Sequence, residues 1–259
     1  MKKYLLYFYA NIIFGLDFYI PPEIKNDSFY SKIIEIASNP EIRTILEIGA
    51  SCGEGSTSAF VTGISQNPSK PDLFCIEISK FRFEFLKNYY GNNPQIHLYN
   101  VSSVPVVDFP TKEEVTFFLK TYRSKFRKNP LDLVLSWLDQ DINYIKSSNV
   151  DQNGIETIKR ENKIDFFDLV LIDGSEFTGK AELDKVYGAK YILLDDILSY
   201  KNFDNYRKLL EDKNYRLIDR DLRKRNRWAA FEKVAFDEQP RHPLPSPIAH
   251  THLCPLAKI

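Results

Sequence analysis

Residues 45–56 read Ile-Leu-Glu-Ile-Gly-Ala-Ser-Cys-Gly-Glu-Gly-Ser, a short apolar run that breaks into glycines at 49, 53 and 55. No other stretch narrows the possible folds as much. An apolar run of this length fits a strand buried on both faces, as in a parallel sheet covered by helices. Gly49 permits a tight turn at the strand end, and Gly53 and Gly55 let the backbone approach a ligand and the next helix pack closely. Strand ends and a helix N-terminus converge their backbone donors at such a turn, which suits a nucleoside-containing cofactor.

The pattern around the turn repeats. Residues 22–39 have helical spacing (Ile24, Phe29, Ile33, Ile34, Ile36, Ala37) and close on Asn39-Pro40. After the strand at 44–49, helices are expected at 56–64 and 80–90, with strands at 73–78 and 96–101. Strands follow at 167–172 and 191–194, a helix at 202–211, and two last strands at 215–219 and 228–232. Strand, helix and strand in alternation build right-handed crossovers. The predicted fold is α/β, a Rossmann-like, doubly wound, mostly parallel sheet with an antiparallel C-terminal strand. One domain is expected over residues 1–238. Its third and fourth strands are separated by a helical insertion at about 108–150, with Val115, Phe117, Phe118 and Leu119, then Leu131, Val134, Leu135, Leu138 and Ile142, at helical spacing, and then by a crossover helix at 154–162. An insertion on the strand-end face of an open sheet is placed to cover a ligand. Residues 239–259 carry Pro240, Pro243, Pro245, Pro247 and Pro255 and read as an irregular tail. Nothing in its histidines imposes metal geometry.

Lys and Arg number 35, as do Asp and Glu, so the formal net charge is zero and gives no general attraction for nucleic acid or an anionic membrane. Cys52, Cys75 and Cys254 are too widely spaced for a disulfide framework, which fits a reducing, cytoplasmic setting. The apolar stretch from Tyr4 to Leu16 is interrupted by Asn11 and Gly15 and ended by Pro21-Pro22; it reads as an element packed on the core, not as an export signal or membrane span. The basic run Arg220 to Arg227, before Trp228, reads as a solvated connection.

Glycine spacing alone also matches the dinucleotide turn of short-chain dehydrogenases. Two features argue against a nicotinamide oxidoreductase. Glu47, on the strand before Gly49, suits an ammonium better than a pyrophosphate, and the chain contains no Tyr-x-x-x-Lys pair for proton transfer. In the acidic-x-Gly-x-x-x-Gly arrangement of Glu47, Gly49 and Gly53 the sequence resembles the class I S-adenosylmethionine-dependent methyltransferases, over about residues 40–105 and 165–232. The resemblance implies S-adenosylmethionine as cofactor, held by Glu47, Gly49, Ser51, Gly53 and Asp173. Glu77 would accept hydrogen bonds from the ribose hydroxyls, Ile78 would pack the adenine, and Ser102, with Ser103 beside it, would reach the adenine edge.

Asp173 falls at the end of the fourth strand, and Asp195 and Asp196 at the end of the fifth. Neighbouring strand ends would bring three carboxylates together, and such a group repels itself unless protonated or bound to a cation; an oxygen-rich site of this kind suits Mg²⁺. This looks like the cation-dependent O-methyltransferases, including those acting on antibiotic sugars, which implies Asp173, Asp195 and Asp196 as metal ligands. The sequence departs from that pattern after Asp173, where Gly-Ser-Glu-Phe stands in place of a histidine or aspartate, leaving Glu176 beside Asp173 as the catalytic candidate. Solvation, or pairing with Lys180 or Lys190, is the plainer reading of the same acids. The expected function is O-methylation of a small-molecule acceptor such as a sugar or natural product; the alternative is a cofactor-binding or regulatory module of the same fold without turnover.

Overall fold

The structure, a computed structural model, describes residues 16–223 and 227–234. The chain before Leu16, the tail from 235 and residues 224–226 of the basic run lie outside the described residues. Helix α1 (Ser28–Ala37) leads into β1 (Thr44–Ile48), α2 (Ser56–Gln66), β2 (Asp72–Ile76), α3 (Lys80–Tyr90) and β3 (Ile96–Tyr99). The insertion holds α4 (Lys112–Thr121) and α5 (Leu131–Ser148), and α6 (Gly154–Asn162) returns to the sheet. Then come β4 (Leu169–Ile172), α7 (Gly179–Val186), β5 (Tyr191–Leu194), α8 (Phe203–Glu211), β6 (Tyr215–Asp221) and β7 (Trp228–Lys233).

Among these residues the strands form one sheet in the order β3-β2-β1-β4-β5-β7-β6, parallel from β3 to β5 and antiparallel on both sides of β7. This is the Rossmann-like α/β arrangement expected from the sequence. Its register matters for the site. Ile48 is level with Ile76 on one side and Ile172 on the other, and Ile172 is level with Leu194. The residues that follow, Gly49, Glu77, Asp173 and Asp195, therefore leave the sheet along one edge. In order, β1 lies between β2 and β4, so the chain reverses its winding there, and that is where open α/β sheets bind ligands.

Side chains alternate across the strands and fill two layers. Ile45, Leu73, Cys75, Leu169, Leu171 and Leu193 meet Phe29, Ile33 and Phe60 on one face. Leu46, Ile48, Phe74, Val170, Ile172 and Ile192 meet Ile155, Ile158, Leu183 and Leu209 on the other. A third cluster lies within the insertion: Val115, Phe126, Val134 and Leu138 pack with Phe177, from the loop after β4. Phe118 of α4 sets its ring edge-on to Tyr200 and Phe203, at 5.0 and 5.3 Å, beyond β5. The insertion is thus packed onto both loops that carry the strand-end acids.

Two sequence expectations differ from the structure. The helix expected from residue 22 begins at Ser28, because Asp27 accepts a hydrogen bond from the amide of Tyr30 and caps it there, and the preceding Pro21-Pro22 runs along the cleft. Helix α7 was not expected at all: it is only 8 residues long, and its buried face mixes Gly179 and Glu182 with Leu183 and Val186, so it lacks a clear apolar stripe. Among the described residues no helix is long and apolar enough to cross a membrane.

Leu138 is almost wholly buried in the insertion cluster. Leu138→Ala should cost about 2–5 kcal/mol of stability, read from urea denaturation; an unchanged midpoint would mean that the insertion does not unfold with the sheet.

Candidate active site

The ends of β1 and β4 touch at Gly49. Its φ is +92°, and a Cβ there would lie 2.1 Å from the Asp173 carbonyl oxygen, so both conformation and contact require glycine. The Gly49 and Ala50 amides both donate to the Ile76 carbonyl at 3.0 Å, which turns the chain across β2. Gly53, at φ +85°, packs against Tyr90 and Leu86 of α3. Between them Ser51 also takes a left-handed φ of 50°, a conformation that a non-glycine residue holds only when its surroundings fix it. What fixes it is Glu77: its Oε2 accepts the Ser51 amide at 2.8 Å.

Glu77 leaves β2 into the cleft and is 3% exposed. Its Oε1 accepts from the Ser79 amide at 2.7 Å and from Arg82 Nε and Nη2 at 3.2 and 3.0 Å. Arg82 in turn donates through Nη1 to the Leu16 carbonyl at 2.7 Å. Sequence reasoning missed Arg82, since an arginine in the first turn of a helix carries no local signal of a buried partner. Ile78 and Ser102 line the same cleft.

Glu47 behaves differently from the other turn residues. It shares a strand face with Ile45, which points toward α2, and does not line the cleft. There it is wholly buried, accepting from Ser56 Oγ at 2.6 Å, Thr57 Oγ1 at 2.8 Å and Cys75 Sγ at 3.3 Å. Burial pushes its pKa up, against the pull of those hydroxyls. In the structure this carboxyl anchors the first turn of α2, and the strand's alternation keeps it from the ammonium contact expected of it.

One carboxylate oxygen from each of Asp173, Asp195 and Asp196 lies within 4.8 Å of the other two. They enclose a lysine. Lys201 Nζ stands 2.7 Å from Asp173 Oδ1 and 3.2 Å from Asp196 Oδ2, and its side chain is 7% exposed. Burial works against its charge, yet the carboxylates of Asp173 and Asp196 outweigh burial and hold its pKa well above the usual lysine value. Asn202 locks the arrangement by donating from Nδ2 to the carbonyls of Ile172 and Asp195, at 2.9 and 2.7 Å. Part of the positive charge that clustered carboxylates demand is therefore supplied by the chain itself. A Mg²⁺ ion held by Asp173, Asp195 and Asp196 would have to share the site with this ammonium, which takes one oxygen each of Asp173 and Asp196. Lys190, a partner considered from the sequence, pairs instead with Glu41. Glu176 accepts from the Lys201 amide at 3.4 Å and does not line the cleft.

The cleft holds about 350 Å³. It runs from Ile78 and Ser102 past Glu77 and Gly49 to Asp173, Asp196 and Lys201. Residues 16–24 roof one side, and Asp141 and Ile145 of α5 the other. Asp141 receives the Ser175 hydroxyl at 2.5 Å. Burial pushes its pKa up to about 6, although Ser175 and the charge of Arg82 pull it down. Asp141 and Lys201 both escaped sequence reasoning, because their places depend on contacts with residues 34 and 28 positions away.

No protein-family model and no curated protein sequence matches the chain. Solved structures match in fold. A protein from Klebsiella pneumoniae that carries a provisional O-methyltransferase assignment aligns with a TM-score of 0.52 at 10% identity, over 83% of this chain and 84% of its own. The cofactor-bound Rv0187 protein from MTB gives 0.51 at 13% identity, over 88% of each chain. An O-methyltransferase from Bacillus cereus in complex with SAH gives 0.48 at 14% identity, over 90% of each. The first two show that the chain has a Rossmann-like fold of the methyltransferase type.

Two outcomes follow from the charges. Lys201→Met leaves the carboxylates facing one another and should cost about 3–5 kcal/mol at pH 7.5. Because those carboxyls can protonate, the deficit should shrink at pH 5; a deficit independent of pH would mean that the lysine acts by packing alone. In the wild type the raised lysine pKa gives stability that is present below about pH 10.4 and lost only as pH climbs through the folded value. Asp141 has the opposite sign for an acid: a folded pKa of about 6, above an unfolded value near 3.9, makes its ionisation cost stability as pH rises through that window. Asp141→Asn should therefore raise Tm at pH 8 and leave it nearly unchanged at pH 4, and equal shifts at both values would refute the assignment.

Proposed function

We propose that this protein is an S-adenosylmethionine-dependent methyltransferase acting on an oxygen of a small-molecule acceptor. The observation that carries the reading is the cradle at Gly49: a turn with no room for a Cβ, opening between a buried carboxylate at Glu77 and the ionised group around Lys201. The shared fold of the Klebsiella pneumoniae protein with its O-methyltransferase assignment, and of the cofactor-bound MTB protein, supports it.

In this reading Ile78 and Ser102 flank the base, and Glu77 Oε2, which accepts the Ser51 amide, has lone-pair capacity left for the ribose hydroxyls. The backbone of Gly49, Ser51 and Gly53 lies along the amino-acid portion, with Asp173 at its far end. Glu47 supports that backbone from behind by fixing α2. The cofactor supplies an electrophilic methyl on a sulfonium. The chain's own contribution is to exclude water, orient the acceptor and handle its proton. The Lys201 ammonium lowers the pKa of a nearby acceptor hydroxyl. Asp141, a cleft carboxyl with a pKa near 6, is the proton acceptor in this scheme, in place of Glu176. A module that only bound the cofactor would have no use for these ionisable groups at the acceptor end.

Calorimetry with S-adenosylmethionine, S-adenosylhomocysteine and NAD in parallel tests the reading. Both adenosyl compounds should bind and NAD should not. Binding of NAD with no response to S-adenosylhomocysteine would overturn it.

A further inference from the structure

Glu182 takes no part in the chemistry above, yet it is wholly buried directly behind the cleft wall. Ser103 Oγ and Thr178 Oγ1 both donate to its Oε1, at 2.6 and 2.7 Å. Its Oε2 is buried with no hydrogen-bond partner among the described residues. The two hydroxyls come from different strand ends, Ser103 from the chain after β3 and Thr178 from the loop after β4, and both residues line the cleft. Gly174 packs on the same carboxyl, since a Cβ there would lie 2.6 Å from Oε1.

A hydroxyl has one proton to give and two lone pairs to offer. Ser103 spends its proton on Glu182, and Ser102 spends its own on the Val104 carbonyl at 2.7 Å. What the two serines can show the cleft is lone pairs. Protonation of Glu182 does not reverse this: burial raises its pKa, and the acid's own proton belongs on Oε2, where no donor competes for space, leaving Oε1 to accept both hydroxyls. An edge made of acceptors favours a ligand that brings N–H donors, and it leaves acceptor facing acceptor when the ligand presents an oxo group.

We infer that Glu182 is a positioning residue for base selectivity: by holding the Ser103 hydroxyl as an acceptor, it makes the slot prefer a purine with a 6-amino group over its 6-oxo counterpart. This rests on the reading that the slot beside Ile78 takes the cofactor's base.

The test is calorimetric binding of S-adenosylhomocysteine and of S-inosylhomocysteine, its 6-oxo analogue, to the full chain. The wild type should prefer the amino compound by about 10- to 100-fold, the scale of one unmatched buried polar group. Glu182→Leu frees the Ser103 hydroxyl to turn and donate, and the preference should fall below about 3-fold. Glu182→Gln retains an amide oxygen that can accept both hydroxyls, and should restore it. Should Glu182→Leu fail to fold, Ser103→Ala carries the same comparison. Equal affinities in the wild type would overturn the inference. So would a Glu182→Leu or Ser103→Ala protein that weakens both ligands in proportion, which is what a purely structural role does. A wild type that binds neither compound would overturn the cofactor reading itself, and this inference with it.

Discussion

Where β1 and β4 leave the sheet, the Gly49 α-carbon is pressed against the Asp173 carbonyl with no space for a methyl group. The strand ends on either side are held level by the register of Ile76, Ile48, Ile172 and Leu194. The contact decides how deep the cleft is and what borders it: Glu77 on the β2 side, Asp173 to Lys201 on the β5 side. A larger residue at 49 would part β1 from β4 and spread the ionisable groups before it blocked any ligand.

Two cations of the chain offset part of the acidic charge that lines the cleft. Glu77 has Arg82, and Asp173 and Asp196 have Lys201, each pair mostly buried. Buried charges are tolerated when paired and further hydrogen-bonded, and at Glu77 the backbone amides of Ser51 and Ser79 add those bonds. The polar walls are therefore set before any ligand arrives. Arg82 does more than neutralise: through the Leu16 carbonyl it joins the carboxylate at Glu77 to residues 16–24, which roof the cleft.

The sheet was legible because its strands are unbroken apolar runs separated by helical spacing, and because glycine at 49 has few physical alternatives. Glu77, Ile78, Ser102 and the strand-end aspartates could be placed at the cleft from their offsets past those strands. The direction of Glu47 could also have been read, since it shares a face with Ile45, but an acid next to a glycine turn invites a ligand contact. Lys201 and Arg82 could not be read. Nothing local distinguishes a lysine in a loop that ends buried between aspartates from one in water. Asp141 lies on an inserted helix whose rotation about its axis is set by Leu138 and Ile145, packed against different partners. The chain's own cation at the acid cluster, six residues beyond Asp195, therefore went unread.

The insertion has a small core of its own, Val115, Phe126, Val134 and Leu138, joined to the rest through Phe177 and Tyr200. One turn of α5 separates Leu138, in that core, from Asp141, at the cleft. Drift in the insertion's packing would rotate or shift α5 and so reshape the Asp141 side of the cleft, while the side built on β2 and β3 kept its form. On the proposed methyltransferase reading, repacking within the insertion can therefore alter what is modified without touching the walls that would hold the cofactor.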